Sequence, residues 1–364
     1  MNARALYSIQ ETAMQFCPLL LRLGSLAMLL IGFKSWAAPD TEQHGSNNQR
    51  SLILVLGAAG DEEYAREFSE AANQWTQAAK QGGFRLTLIG QDESTNSPDT
   101  RVQLLNVLTN ESSSTNEDEL WLVLIGHGTF DGRSAKFNLR GPDLSAEDLK
   151  AALASCKRPL AIINCASSSG PFLPALSGSN RVVVTATRSG HEANATRFGK
   201  YLARAITDGT ADLDKDGQTS LLEAFILASR QVEQFYREEA RLATEHALLD
   251  DNGDTLGTAA DWFRGVRAVK IATGGKSADG IRAHQFNLVR SEAERELPVQ
   301  VRNRRDELER ALSALREQKP RLDETNYYAK LESVLLEIAQ LYSGAGATDL
   351  NTAQRPESNA PAAK

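Results

Sequence analysis

The sequence predicts an α/β fold, in which a parallel-dominated sheet is flanked by helices. Short continuous apolar runs recur along the chain, and segments with helical spacing separate them. The runs are apolar throughout rather than alternating, which is typical of strands buried on both faces of a parallel sheet. Strands that alternate with helices in this way place helices on both faces of one sheet.

Each element follows from its local pattern. The predicted strands are SLILVLG (51–57), GFRLTLIG (83–90), LWLVLIG (120–126), PLAIIN (159–164) and RVVVTAT (181–187). The predicted helices lie in 61–81, 99–110, 144–155 and 194–209. In the third of these helices, Ser145 is the predicted N-cap and Asp148 is the N3 residue. The polar stretch Glu111 to Glu117 predicts an exposed loop.

The N-terminus has the pattern of a secretory signal peptide, assigned to residues 1–38. An apolar run, LLLRLGSLAMLLIGF, precedes SWAAPD, where Ser35 and Ala37 occupy the small-residue positions of a cleavage site. An uncleaved membrane anchor is the alternative, although the run is short for a span. No other segment is apolar enough to span a membrane, so we expect an exported protein, periplasmic or secreted, without a stable span after cleavage.

The remaining boundaries come from shifts in composition. Residues 39–50 are polar and predict a disordered linker, and residues 51–290 form the predicted α/β domain. Residues 300–343 carry two amphipathic helical patterns, which predict a hairpin packed either on the domain or on a partner. The Ala/Pro/Asn-rich residues 344–364 predict a disordered tail.

The net charge limits the class of partner, and the cysteine spacing bears on disulfide formation. The net charge of −7 gives no reason to expect nucleic acid, so a peptide or protein is the expected substrate or partner, and the oligomeric state is open. Cys156 and Cys165 flank PLAIIN, which at about 3.3 Å per residue separates them by roughly 20 Å. A disulfide needs Cα atoms within about 7 Å, so none is expected between them.

Two reactive side chains follow predicted strands. His127 comes directly after LWLVLIG, and Cys165 directly after PLAIIN. In a parallel sheet, functional sites lie beyond the carboxyl ends of the strands. We therefore expect His127 and the turn from Cys165 to Ser167 to lie side by side at that edge.

Over residues 51–236 this arrangement resembles the caspase/legumain superfamily, and legumain-type and bacterial caspase-like cysteine peptidases in particular. The resemblance rests on a strand that ends in His127–Gly128 and on a later strand that ends in a small-residue turn with a thiol. It implies a thiolate nucleophile, a histidine that supports it and protonates the leaving amine, and an oxyanion donor at the Gly128 N–H.

The nucleophile departs from the family pattern, which reads Ala-Cys-x-Ser-Gly. Here ASSSG, Ala166 to Gly170, places Ser167 at the cysteine's position, and Cys165 lies two residues earlier. Three alternatives stay open. Cys165 acts on a shifted elbow, Ser167 acts as the nucleophile, or the site is a degenerate pseudopeptidase that binds without cutting. A serine with only a histidine beside it is poorly activated.

A second motif predicts calcium. DLDKDGQTSLLE, from Asp212 to Glu223, matches the twelve-residue EF-hand loop. The predicted Ca²⁺ ligands are carboxylate, carbonyl and hydroxyl groups of Asp212, Asp214, Asp216, Gln218, Ser220 and Glu223. The alternative is an acidic, solvated loop between helices. A lone loop of this type suits a structural ion of modest affinity.

Two further stretches are less specific. LLDDNGD (248–254) is acidic, but its glycine comes too early for the same loop, so it is interpreted as a turn. TATRSGHEAN (185–194) corresponds to a region that helps build the substrate pocket in the resembled family. There Arg188 or His191 would face an acidic substrate side chain, and a plain surface loop is the alternative.

Overall fold

The computed structural model describes residues 49–91, 99–275 and 277–352 of the 364-residue chain. Its strands are β1 Ser51–Leu56, β2 Arg85–Ile89, β3 Leu120–Ile125, β4 Gly128–Phe130, β5 Ala135–Phe137, β6 Leu144–Ser145, β7 Leu160–Asn164, β8 Arg181–Thr185, β9 Leu248–Asp250, β10 Thr258–Ala259, β11 Phe263–Arg264 and β12 Arg267–Ala268. Its helices are α1 Glu62–Gln81, α2 Thr100–Ser113, α3 Ala146–Ala152, α4 Phe172–Leu176, α5 Phe198–Ala205, α6 Leu221–Glu238, α7 Ile281–Gln285, α8 Glu292–Glu296, α9 Val299–Gln318 and α10 Glu324–Thr352.

A seven-stranded sheet in the order β10-β9-β8-β7-β3-β1-β2 organises the described chain. The pairs β1–β2, β1–β3, β3–β7 and β7–β8 are parallel, whereas β9 and β10 extend one edge in antiparallel pairing. The parallel strands are the five that the apolar runs predict. The predicted parallel-dominated α/β fold is therefore confirmed.

Helices cover both faces of this sheet. On one face α1, α5 and α6 pack against the strands through large buried side chains such as Trp75, Phe198 and Phe225. On the other face α2, α3 and α4 contribute Leu104, Leu149 and Phe172 among others. Burial on both faces explains why the strands are apolar at successive positions rather than at every second one.

Local signals set several element boundaries. Ser145 caps α3: its side chain accepts the N–H of Asp148, and the Asp148 carboxylate accepts the N–H of Ser145. This reciprocal pair satisfies two backbone donors that a helix start leaves open. The predicted cap is confirmed.

Other predictions need correction. The stretch from Glu111 to Glu117 is an exposed loop only in part. Helix α2 continues to Ser113 and Glu111 is buried against Arg158 and Arg85, whereas Ser114, Thr115 and Glu117 lie exposed beyond the helix. The acidic stretch at 248–254 is only partly a turn, since β9 occupies its first three residues. Helix α10 runs to Thr352, so the predicted tail does not begin at residue 344.

The helical hairpin forms from α9 and α10. Leu308, Leu315 and Tyr327 are buried, whereas Leu335 and Leu336 on α10 stay 46% and 54% exposed. The apolar stripe therefore packs only in part against the described chain.

The predicted signal peptide and most of the linker lie outside the described residues. Within the described residues, no helix combines the length and the apolar character that crossing a membrane requires.

Candidate active site and cation loop

His127 lies at the carboxyl edge of the sheet, between β3 and β4. Its Nε2 is 3.2 Å from the carbonyl oxygen of Ala59, a geometry in which Nε2–H donates to that oxygen. Its ring packs edge-on against Tyr64 at 4.5 Å and in a tilted arrangement against Phe68 at 5.2 Å, both on α1. These contacts fix the ring beside α1 and engage Nε2 with the backbone.

Cys165 follows β7 and is buried, with 3% of its surface exposed. A Cβ added to Gly199 of α5 would lie 3.2 Å from the Cys165 sulfur, so the helix packs closely on the thiol. Burial, followed by the nearby charge of Glu245, raises the pKa of the Cys165 thiol to about 12. The side chain is therefore a neutral thiol at neutral pH rather than the thiolate that attacks a carbonyl.

A small cavity joins these two side chains. His127 and Cys165 both line a space of about 30 Å³, together with Thr196 and Lys200. This space is large enough for a water molecule. Among the described contacts, no hydrogen bond links the thiol to the imidazole.

Ser167 contacts Gly128 rather than His127. Its Oγ accepts the Gly128 N–H at 3.1 Å and donates to the Gly128 carbonyl at 3.0 Å. Ser167 is 3% exposed, and a Cβ on Gly128 would overlap the Ser167 carbonyl, so only glycine permits this approach. The N–H that would stabilise an oxyanion is therefore already bonded to a serine hydroxyl.

The residue after Ser167 was missed by the sequence reasoning. Ser168 has a φ of 53°, is 1% exposed, and its hydroxyl has no hydrogen-bond partner in the described chain. A non-glycine residue in this left-handed region carries strain that tends to collect at functional sites. Nothing in SSSG distinguishes the strained serine from its neighbours, so the sequence holds no signal for it.

The loop after β8 is tied down by Glu192. This carboxylate forms an ion pair with Arg188 at 3.1 Å and accepts from His246 Nδ1 at 2.6 Å. His191 packs edge-on against Phe130 at 5.2 Å. Arg188 is thus already paired with a carboxylate, although its side chain remains 60% exposed.

The predicted calcium loop brings three carboxylates together. Oxygens of Asp212, Asp214 and Asp216 all lie within 4.8 Å of one another, and Gly217 has a φ of 84°. Burial, and then the charge of Asp216, raise the pKa of Asp214. Crowded oxygen ligands of one charge fit a hard cation such as Ca²⁺.

The other predicted ligands are engaged in hydrogen bonds. Glu223 accepts from the Leu213 N–H at 2.7 Å and, through its second oxygen, from Ser220. Ser220 caps α6 in the same reciprocal pair. The Gln218 side chain accepts from the Ser291 N–H, whereas the predicted ligand of this residue is its backbone carbonyl.

The aspartates are engaged as well: Asp214 Oδ2 lies 3.1 Å from His284 Nε2, and both Asp212 carboxylate oxygens accept backbone N–H groups. The donor set fits a cation at the three aspartates if His284 leaves Asp214 and Glu223 turns to complete it.

The acidic turn at 250–256 satisfies its own carboxylates. Asp250 accepts the N–H groups of Gly253 and Thr255, and the Asn252 side chain accepts that of Asp254. These bonds explain the turn that the sequence indicates after the first three residues of LLDDNGD.

The comparisons with known proteins concern the fold. No family model and no curated protein matches the chain. Among solved structures, the Drosophila initiator caspase Dronc has 16% identity and a TM-score of 0.40, over 59% of this chain and 84% of that one. Caspase-1 from Spodoptera frugiperda has 11% identity and a TM-score of 0.37, over 56% and 86%. A pro-sf-caspase-1 structure has 9% identity and a TM-score of 0.39, over 56% and 92%. At this level of similarity, no activity carries over to this chain.

Proposed function

We propose that this chain is a catalytically silent homologue of caspase-like peptidases that acts by binding a protein or peptide partner. One observation carries the proposal: the Ser167 hydroxyl occupies the Gly128 N–H that a peptidase would aim at its oxyanion. A donor already bonded within the protein stabilises no developing charge on a substrate.

Neither candidate nucleophile has the partner it needs. The Ser167 hydroxyl donates its proton to a backbone carbonyl and not to an imidazole, so no base is placed to remove it. The Cys165 thiol is neutral and buried, and His127 Nε2 faces Ala59 instead. Both general-base activation and thiolate attack therefore lack their geometry.

A thiol peptidase that uses Cys165 and His127 is the second candidate. It is favoured by the cavity that both side chains line. For this activity α5 would have to move away from the thiol, since Gly199 packs directly on it.

The deciding experiment compares cleavage of a mixed peptide library, with Ca²⁺ present, by wild type, Cys165→Ala, Ser167→Ala and His127→Ala. The proposal expects no cleavage by any of the four. Cleavage by wild type that is lost in both Cys165→Ala and His127→Ala would establish the thiol peptidase. Loss in Ser167→Ala with retention in Cys165→Ala would establish a serine nucleophile.

The proposal includes a Ca²⁺ ion held by Asp212, Asp214 and Asp216. The ion would neutralise the crowded carboxylates and order the loop that leads into α6. Adding Ca²⁺ to chelator-treated protein should raise the melting temperature, because a ligand that binds only the folded state stabilises it. Asp216→Ala should lose this response, whereas Asp261→Ala, which removes an exposed carboxylate elsewhere, should keep it. An equal response in both variants would contradict the assignment.

Export and partner binding complete the proposal. The leader supports export to the periplasm or the medium. Exposed apolar side chains on α10, including Leu336 and Tyr342, support the hairpin as the binding surface. A partner captured by wild type should be lost with Leu336→Glu and kept with Leu242→Glu, since Leu242 is 91% exposed outside the hairpin. Loss with both variants, or with neither, would count against the hairpin.

A further inference from the structure

A second cavity lies at the opposite edge of the sheet from His127. It has a volume of about 350 Å³ and is bordered by residues that precede β1, β3 and β7 and by the segment from α7 to α9. We call this space the basal cleft. Its size falls in the range of small-molecule sites, which hold roughly 300 to 1,000 Å³.

Four arginines line the basal cleft without an ion pair to any described carboxylate. Arg50 donates to the carbonyls of Asn287 and Gly82, and Arg302 donates to those of Glu294 and Leu297. The other two donate only to side-chain amides. Arg282 bonds Asn180 Oδ1 at 3.3 Å, and Arg310 bonds Gln285 Oε1 at 2.6 Å.

Most carboxylates of the cleft pair with other arginines. Glu119 pairs with Arg290, both Glu294 and Asp306 pair with Arg305, and Glu307 pairs with Arg304. Of the acidic residues that line the cleft, Glu117 and Asp118 alone form no ion pair among the described residues. The six arginines and the six carboxylates that line the cleft are equal in number but unevenly paired, because Arg305 holds two carboxylates and four arginines hold none in the described chain.

The unpaired arginines are partly withdrawn from water. Arg50, Arg282 and Arg302 are all half-buried. Burial, which outweighs the opposing charge of Glu119, and then the positive charge of Arg290 lower the pKa of Arg50 to about 10. Burial first and a neighbouring arginine second also lower the pKa values of Arg282 and Arg302. Half-buried cations that form no direct ion pair favour an anion that completes them.

Asn287 supplies an independent sign of a ligand. It lines the same cleft and is 6% exposed, and its Oδ1 accepts no hydrogen bond in the described chain. Buried acceptors are nearly always satisfied, so an orphan acceptor at the wall of a cleft calls for a donor from outside the protein.

We propose that the basal cleft binds a small organic anion that also carries a hydroxyl. A phosphate or carboxylate group would accept from the four unpaired arginines, whose planar forks suit both groups. The ligand's hydroxyl would donate to Asn287 Oδ1, and because this oxygen is itself withdrawn from solvent, binding would turn the Asn287 amide towards the cleft. Such a ligand would bridge the α/β domain and α9, so its binding would couple to the position of the hairpin. This inference is independent of whether the carboxyl-edge site cuts peptides.

Glycerol 3-phosphate and glycerate are suitable probes, because each joins an anionic group to hydroxyls. Calorimetric titration of the purified protein should give saturable one-site binding that weakens with salt. Inorganic phosphate should bind more weakly, and glycerol should not bind. Preference between the two probes would decide whether the cleft takes phosphates or carboxylates. If neither probe binds at up to about 10 mM, the proposal is overturned.

Matched variants locate the site. Arg282→Gln/Arg310→Gln should weaken probe binding by at least about tenfold, since charged hydrogen bonds are lost. Arg304→Gln lies on the same helix but outside the cleft, and should bind as wild type does. An equal effect in the double variant and in Arg304→Gln would overturn the proposal.

Hydrogen exchange locates the site in the wild-type protein, so this test does not require that the variants fold. The better probe should slow amide exchange in residues 281–287 and in the first half of α9, and leave the amides around His127 unchanged. Protection elsewhere, or none, would also overturn the proposal.

Discussion

The Cys165 thiol should resist alkylation in the native protein. Iodoacetamide reacts with thiolates, so its rate at a cysteine reports the thiolate fraction and the access of the reagent. Cys165 is poor in both respects, because 3% of its surface is exposed and its pKa is raised to about 12.

The expected suppression follows from the raised pKa. At pH 7.4 a pKa of about 12 leaves roughly 3 in 100,000 molecules as thiolate. An ordinary cysteine with a pKa of about 8.5 has about 7% thiolate at the same pH. The thiolate population alone therefore slows Cys165 roughly 3,000-fold relative to an ordinary thiol, and burial slows it further.

Pulsed alkylation followed by peptide mass spectrometry measures this rate. Cys156 is half-buried and free, so it provides the comparison within the same molecule. In denaturant the two cysteines should react at similar rates, which controls for local sequence. In the native protein the Cys165 rate should rise about tenfold for each pH unit between 7 and 10.

Fast labelling of Cys165 would refute the assignment of a neutral, buried thiol. If Cys165 reacts as fast as Cys156 in the native protein at pH 7.4, with a rate that does not change with pH, the thiolate is already formed. In that case the peptidase that uses Cys165 would become the leading function.

Three further perturbations test the structure. Gly128→Ala should lower the free energy of unfolding by about 1–3 kcal/mol in urea titrations, because the new Cβ would overlap the Ser167 carbonyl. An unchanged urea midpoint would contradict this contact. Arg158→Met should lower the free energy of unfolding by about 3–5 kcal/mol in the same assay, because it leaves the buried Glu111 carboxylate beside only the half-exposed Arg85. A decrease below about 1 kcal/mol would contradict the buried ion pair. Burial, and then the charge of Asp251, raise the pKa of the Asp279 carboxyl. The folded state therefore holds this proton more tightly than the unfolded state does. The resulting stabilisation is fully present below the ordinary carboxyl pKa and is lost as the pH rises through the raised pKa. Wild type should therefore lose more stability than Asp279→Asn between pH 5 and pH 9, and parallel profiles would contradict this origin.

The parallel sheet could be predicted because the sequence of each strand is an uninterrupted apolar run. Runs such as SLILVLG leave no second interpretation once helical patterns separate them. The antiparallel sheet of β4, β5 and β6 could not be predicted in this way. Its strands are two or three residues long and interleave with turn residues, so no period of two develops.

The position of the candidate active site could be predicted from the sequence, but the hydrogen bonds of its side chains could not. Strand ends place His127 and the turn after β7 at one edge, as the sequence requires. Whether Cys165 or Ser167 meets the histidine depends on the left-handed turn at Ser168 and on the approach of α5, and neither leaves a local signature. In the structure neither side chain bonds to His127.

Two further features depend on contacts between residues that are distant in sequence, so local composition does not predict them. Glu111 belongs to a polar stretch, yet it is buried because Arg158 comes from 47 residues away to meet it. The basal cleft gathers residues from positions 50 to 310, so no sequence window contains it.

The exchange rate of the Gly128 amide tests the central claim most directly. If the Ser167 hydroxyl holds this N–H, the amide should be protected in wild type and exchange at least about tenfold faster in Ser167→Ala. Ser169→Ala, whose hydroxyl bonds Thr187 instead, should leave the Gly128 rate unchanged. A Gly128 amide that exchanges equally in wild type and in Ser167→Ala would show that the Ser167 hydroxyl does not hold this N–H, and would contradict the observation on which the catalytically silent site rests.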